Sequence, residues 1–224
     1  MKPSHILLSA IVLVAALFTS CSKNSSGSNA ANAVKFQLQT TNRTSILARV
    51  QAGSIQWTSG FGNTTEVKFE AKINSQEIER KSQSAQKVDL FAAINILGNI
   101  TLAPGTYNEV EFKVELNPSG SEGSLELNGQ FTSGGVTTPV AFKITVPVEL
   151  KNEKSNVVVT DNSTYKAITT IDLSLITKGI TESMLNSAVK TNGTILISSA
   201  VNSNIYNILV SNLHDSDEVE FEHD

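Results

Sequence analysis

An antiparallel two-sheet β-sandwich, mainly β with one or two short helices near the C-terminus, is the fold class this sequence predicts. Three observations lead there. From residue 34 onward, apolar side chains recur at every second position, the period that gives a strand one dry and one wet face. The strands keep that wet face, which is the antiparallel condition, because parallel strands buried on both sides read as continuous apolar runs. Turn signals such as Pro118-Ser119-Gly120 and Ser133-Gly134-Gly135 cut the chain into short segments, and strands at this density stack as two sheets.

In chain order, short strands are expected over residues 34–40, 46–50 and 54–58. Val67, Phe69, Ala71 and Ile73 then alternate with Lys68, Glu70 and Lys72. Strands at 88–94 and 100–102 follow, and Val110, Phe112, Val114 and Leu116 alternate with Glu111, Lys113 and Glu115. Residues 125–131 form another strand, in which Asn128-Gly129 is read as a bulge because Ser133–Gly135 already offers the turn. Phe142, Ile144, Val146, Val148 and Leu150 continue the pattern, with Pro147 marking an edge or a bulge. Strands at 157–159 and 166–173 complete the β-rich part.

The last third changes period. Ile180, Met184, Leu185, Ala188 and Val189 recur at helical spacing, with Thr181 as N-cap and Lys190 and Gly193 at the end. A short strand at 195–197 precedes a second helix on Ile205, Ile208, Leu209 and Leu213, or alternatively a strand at 205–210.

Composition narrows the classes. With 40% hydrophobic and 17% charged residues in 224, the chain is neither a disordered polymer nor a coiled coil. The expected domain runs over 34–213, with an alternative boundary near 151–156 that would split it into two units. The net charge of -4 and the scattered basic residues lack the electrostatic footprint of a nucleic-acid binder. Nearly all of that negative charge lies in the acidic tail 214–224, read as solvated or as a last strand around Val219 and Phe221.

Residues 1–20 read as an export signal: Lys2 supplies the positive start, and the apolar run 6–18 is too short to span about 30 Å of hydrocarbon. Leu17-Phe18-Thr19-Ser20-Cys21 resembles the lipobox of bacterial lipoproteins, in which the cysteine is lipidated and becomes the new N-terminus. Cys21 is the single cysteine of the chain, so no intrachain disulfide forms. Residues 21–33, rich in Ser, Asn and Gly, make a flexible tether, whose 12 residues after the cysteine reach about 20 Å. Cysteine, tether and strand-rich domain together look like the envelope lipoproteins of Bacteroidota. That resemblance implies a lipid anchor in the bacterial outer membrane, with the periplasmic or the cell-surface face left open. Ala103-Pro104-Gly105-Thr106-Tyr107 before an alternating strand is similar to a phrase in prealbumin-like and carboxypeptidase-regulatory-like β-sandwiches, which implies a structural or adhesive module. Here Pro104 and Gly105 are expected at the corners of a type II turn.

Catalytic chemistry finds little purchase. His5 leaves with the signal, while His214 and His223 stand in the last eleven residues, where a frayed tail would not hold them against a nucleophile. No nucleophile elbow, zinc-protease motif or phosphate loop is present, and no cofactor or metal is expected. The expectation is therefore a non-catalytic binding, adhesive or structural module at the envelope, with a glycan or protein partner. The alternative is a hydrolase working on glycans with carboxylates alone. Trp57 and Phe61, beside Gly60 and Gly62, are the candidate glycan contact, because aromatic faces stack on sugars; the competing reading makes Trp57 a core anchor.

Overall fold

The computed structural model describes residues 32–41, 54–73 and 76–223. Within them the chain forms two sheets and three helices, a β-sandwich as expected. The expected signal, Cys21, most of the expected tether and the strand expected at 46–50 lie outside the described residues.

The smaller sheet has four strands in the order β12-β9-β1-β4: β12 is Asp217–His223, β9 Tyr165–Asp172, β1 Ala33–Thr41 and β4 Ile96–Thr101. The larger sheet is organised on one long strand, β2, Ile55–Ile73. One edge of β2 carries β3, Gln76–Asp89. The other carries two strands end to end: β6, Leu125–Ser133, along residues 55–62, and β5, Gly105–Leu116, along residues 64–72. Asn63 sits at their junction, donating its backbone N–H to Ser124 and its side-chain amide to Gly123, and accepting from the backbone of Asn117. Beyond β5 lies β8, Val148–Val159; beyond β6 lie β7, Val136–Ile144, then β11, Thr194–Ile197, and β10, Lys190–Thr191.

Alternation decides which faces meet. Phe69, Tyr107 and Phe112 point inward from the large sheet, and Phe36 from the small one, with ring centroids 5.4–5.9 Å apart in edge-on pairs. The other half of the large sheet is covered by helix α3, Ser203–Ser216, whose Tyr206 meets Phe142 at 5.9 Å. Helix α1, Leu173–Ile176, is tied to α3 by the Asn212 amide, which donates to the carbonyls of Ile176 and Lys178. Helix α2, Glu182–Asn186, is capped by Thr181 as its sequence implied, but runs one turn instead of two and a half.

Several expectations need correction. Two strand pairs are parallel, β1 with β9 and β11 with β7. The run 142–150 is two strands, since residues 145–147 turn at Pro147 between β7 and β8. Residues 151–156 fall inside β8, in unbroken register with β5, so no boundary interrupts the chain there. Residues 214–223 are no frayed tail: His214 closes α3, and β12 pairs with β9 along its whole length, ending with His223 edge-on to Tyr165 at 5.1 Å. Gly105 begins β5 with φ 155°, so Pro104-Gly105 makes no type II turn. What holds that corner is Tyr107, fully buried, whose hydroxyl donates to the Ala103 carbonyl at 2.8 Å.

Candidate functional site

The outer face of the large sheet falls into two halves with different chemistry. Below Asn63, where β3, β2, β5 and β8 lie side by side, register places like charges opposite one another. Lys81, Lys68, Lys113 and Lys151 form one row across the four strands, and Glu79, Glu70, Glu111 and Glu153 form the next. Like charges directly opposite are unfavourable. Each lysine therefore pairs along its own strand and diagonally: Lys81 with Glu79 and Glu66, Lys68 with Glu70 and Glu79, Lys113 with Glu111 and Glu70, Lys151 with Glu153 and Glu111. A cleft of about 250 Å³ opens beside these rows, lined by Glu70, Lys72, Glu77, Glu79, Glu109 and Glu111.

The cleft gathers several carboxylates, and two of them, Glu111 and Glu79, are held in the charged form. Burial works to raise the Glu111 carboxyl, and hydrogen bonds from Lys113 and Lys151 outweigh it, bringing its pKa down to about 2. Hydrogen bonds from Lys81 and Lys68 likewise hold the Glu79 carboxyl below its usual range. A general acid requires the opposite shift.

Above Asn63 the outer face is different. A β-bulge interrupts the register between Trp57 and Ser59, so that Thr58 is an extra residue opposite Asn128 and Gly129 of β6. The bulge was legible at Asn128-Gly129, but the added residue belongs to the partner strand. Its consequence is a reversal of parity. Trp57 points inward, 3% exposed and 6.4 Å from Phe142, while Phe61, four residues on, points outward. The structure thus separates the two rings that the sequence set together, because the inserted residue flips the side chains that follow it, until a second register shift between Thr64 and Glu66 restores the first parity for Val67 and Phe69.

Glycine makes this arrangement possible at two positions. A Cβ on residue 129 would lie 2.4 Å from the Gln56 carbonyl oxygen and 3.0 Å from the Trp57 ring. A Cβ on Gly60 would lie 2.5 Å from Leu127 and 2.7 Å from the Glu126 carbonyl oxygen. Gly60 is therefore strand packing, not part of a loop.

Phe61 forms the floor of an open groove of about 410 Å³ with Ser59, Gly60, Lys87, Asp89 and Asn128. Lys87 lies over the ring, its ammonium 3.7 Å from the centroid, and is paired with Glu122, whose carboxyl that hydrogen bond holds low. Asp89 accepts from the backbone of Phe91 at 2.9 Å. Lys87, Asp89 and Asn128 escaped the sequence reading as site residues, since nothing in their own segments shows that β3 and β6 flank Phe61 on either side of β2.

Among the described residues no group of three or more His, Cys, Asp or Glu side chains is placed to hold a metal ion, and no helix is long and apolar enough to cross a membrane. Comparisons with protein-family models, curated protein sequences and solved structures found no match.

Proposed function

We propose that this chain is a lipid-anchored protein of the bacterial outer membrane, acting as a non-catalytic binding module whose contact surface is the Phe61 groove and whose ligand is a glycan. The observation that carries the anchor is the order of features along the chain: an export signal, Cys21 within Leu17–Cys21, a Ser/Asn/Gly tether, and then β1. The likeness of Ala103–Tyr107 to prealbumin-like modules supports a structural or adhesive role. Geometry supports the choice of surface. The tether enters beside Leu102, whose N–H donates to Asn32, and the same end of the sandwich holds Gly105, Ile73 and Tyr165. Phe61 stands 12 residues up β2 from Ile73, about 40 Å away at the rise of a strand. The groove is thus remote from the point where the chain enters the sandwich, which supports this surface as the one left open to a ligand. Its chemistry, an aromatic ring rimmed by a hydroxyl, an amide and a carboxylate, suits a polyhydroxylated ligand.

Two substitutions test the two halves of this reading. Cys21→Ala should move the protein from the membrane fraction to the soluble fraction and abolish incorporation of labelled fatty acid; persistence of either ends the lipoprotein assignment. Phe61→Ala should abolish retention on immobilised glycans while leaving the melting temperature nearly unchanged, and unaltered retention would rule the groove out.

A further inference from the structure

Above the groove, the outer face continues as a strip of uncharged hydrogen-bonding side chains. Alternation along β6 turns Glu126, Asn128, Gln130 and Thr132 outward. Register sets Ser59 beside Asn128, Gln56 beside Gln130, and Thr137 beside Thr132. Thr132 and Thr137 bond each other at 3.0 Å, but Gln56, Ser59, Asn128 and Gln130 are exposed and spend no side-chain donor or acceptor on another described residue. Successive rows lie about 6.8 Å apart, two residues of strand rise. The strip and the groove are continuous through Ser59 and Asn128, which belong to both.

The charges at its lower rim are spoken for. Lys87 is paired with Glu122, and Lys143 with Glu126 at 2.9 Å, which leaves the Asp89 carboxylate as the surplus charge. Among the described residues that line the groove, the one cation, Lys87, is already paired with Glu122, so an anionic ligand would meet the Asp89 charge unanswered. Amides, in contrast, both donate and accept, as sugar hydroxyls do.

We infer that the site takes an extended, uncharged glycan chain, seated with one residue on Phe61 and further residues running up β6 over Asn128 and Gln130. This rests on the glycan reading above and deepens it: the ligand is neutral and several sugars long. Lys87 covers the Phe61 ring face and must swing aside when the sugar stacks, giving up its cation–π contact.

The test uses the full lipidated chain in detergent, printed against an array of neutral and acidic glycans, followed by calorimetric titration with a disaccharide and a hexasaccharide of the retained type. The expected result is retention of neutral glycans, with the hexasaccharide binding more tightly than the disaccharide. The double variant Asn128→Ala, Gln130→Ala should weaken hexasaccharide binding about tenfold, leave disaccharide binding unchanged and keep the melting temperature, because both side chains are exposed. Retention of acidic glycans alone, lost in Phe61→Ala, would overturn the neutral chain while leaving the glycan reading intact. Equal affinity for both lengths, insensitive to the double variant, would overturn the extended seat. If no glycan is retained, or a protein ligand alone occupies the strip, both readings fall.

Discussion

Trp57 and Phe61 are four residues apart in a segment that reads as one aromatic cluster, and the fold sends them to opposite sides of a sheet. A strand with unbroken parity would have put both on one face. The inserted Thr58 defeats that arithmetic, and the sequence marks the insertion only through Gly129 on the neighbouring strand. The core role of Trp57 was legible as the ordinary fate of a large ring. The groove around Phe61 was not, because Lys87, Asp89 and Asn128 come from pairings that no local pattern encodes. Burial of Trp57 sets the first prediction. Trp57→Ala should cost about 3–5 kcal/mol, the usual loss for a large buried aromatic, and lower the melting temperature by about 10 °C or more. Since this is the single tryptophan of the chain, its emission should be blue-shifted and resist acrylamide quenching. Gly129→Ala should also destabilise, by about 1–3 kcal/mol in chemical denaturation, because its methyl group has to displace the Gln56 carbonyl beneath Trp57.

Among the elements, those with one dry face declared themselves. β1, β6 and β9 lie where the period of two put them, within a residue or two at each end, and β5 ends where its alternation does but begins five residues earlier, at Gly105. β3 did not, and the reason is chemical: it packs on β2 as an outer strand, and its run Gln76–Lys87 carries polar or charged side chains at most positions, so no apolar alternation announces it. Its Glu79 and Lys81 serve as the end members of the charged rows instead, and charge on an outer strand discourages pairing with another chain. Those rows give the large sheet a pH dependence whose sign follows from Glu111. Its folded pKa of about 2 lies below the ordinary 4.5, so the stability it contributes is present above pH 4.5 and is lost as the pH falls through about 2. Lys113 and Lys151, raised chiefly by their hydrogen bonds to the same carboxylate, contribute stability that is present below pH 10.5 and lost as the pH rises beyond it. Melting temperature should therefore fall between pH 4.5 and 2. Glu111→Gln should shallow that decline and lower the melting temperature at pH 7, where Lys113 and Lys151 lose their shared partner. An unchanged acid limb in the variant would mean that other carboxylates govern it.

At the scale of the molecule, a single apolar core joins the sandwich half to the helical half, and β2 runs through both. The last strand closes it. The sequence leaves its final eleven residues, with six carboxylates, open between a solvated tail and a last strand around Val219 and Phe221, and the strand is what forms, by the same alternation used elsewhere: Glu218, Glu220 and Glu222 face water while Val219 and Phe221 face the core. Phe221 stacks on Tyr165 at 5.0 Å and meets Phe112 of the large sheet at 5.9 Å, so β12 bridges the two sheets through side chains as well as pairing with β9. A chain ending at Ser216 would lose that bridge and leave β9 as a bare edge with Tyr165 uncovered. It should lose about 3 kcal/mol or more in urea denaturation, on the scale of deleting a large aromatic, and sediment as aggregates through the exposed strand edge. The triple replacement of Glu218, Glu220 and Glu222 by Gln separates strand from charge. It keeps every pairing and both rings, so it should unfold within about 0.5 kcal/mol of the wild type, as surface substitutions do. If truncation were as harmless as that replacement, the bridge through Phe221 would hold nothing together.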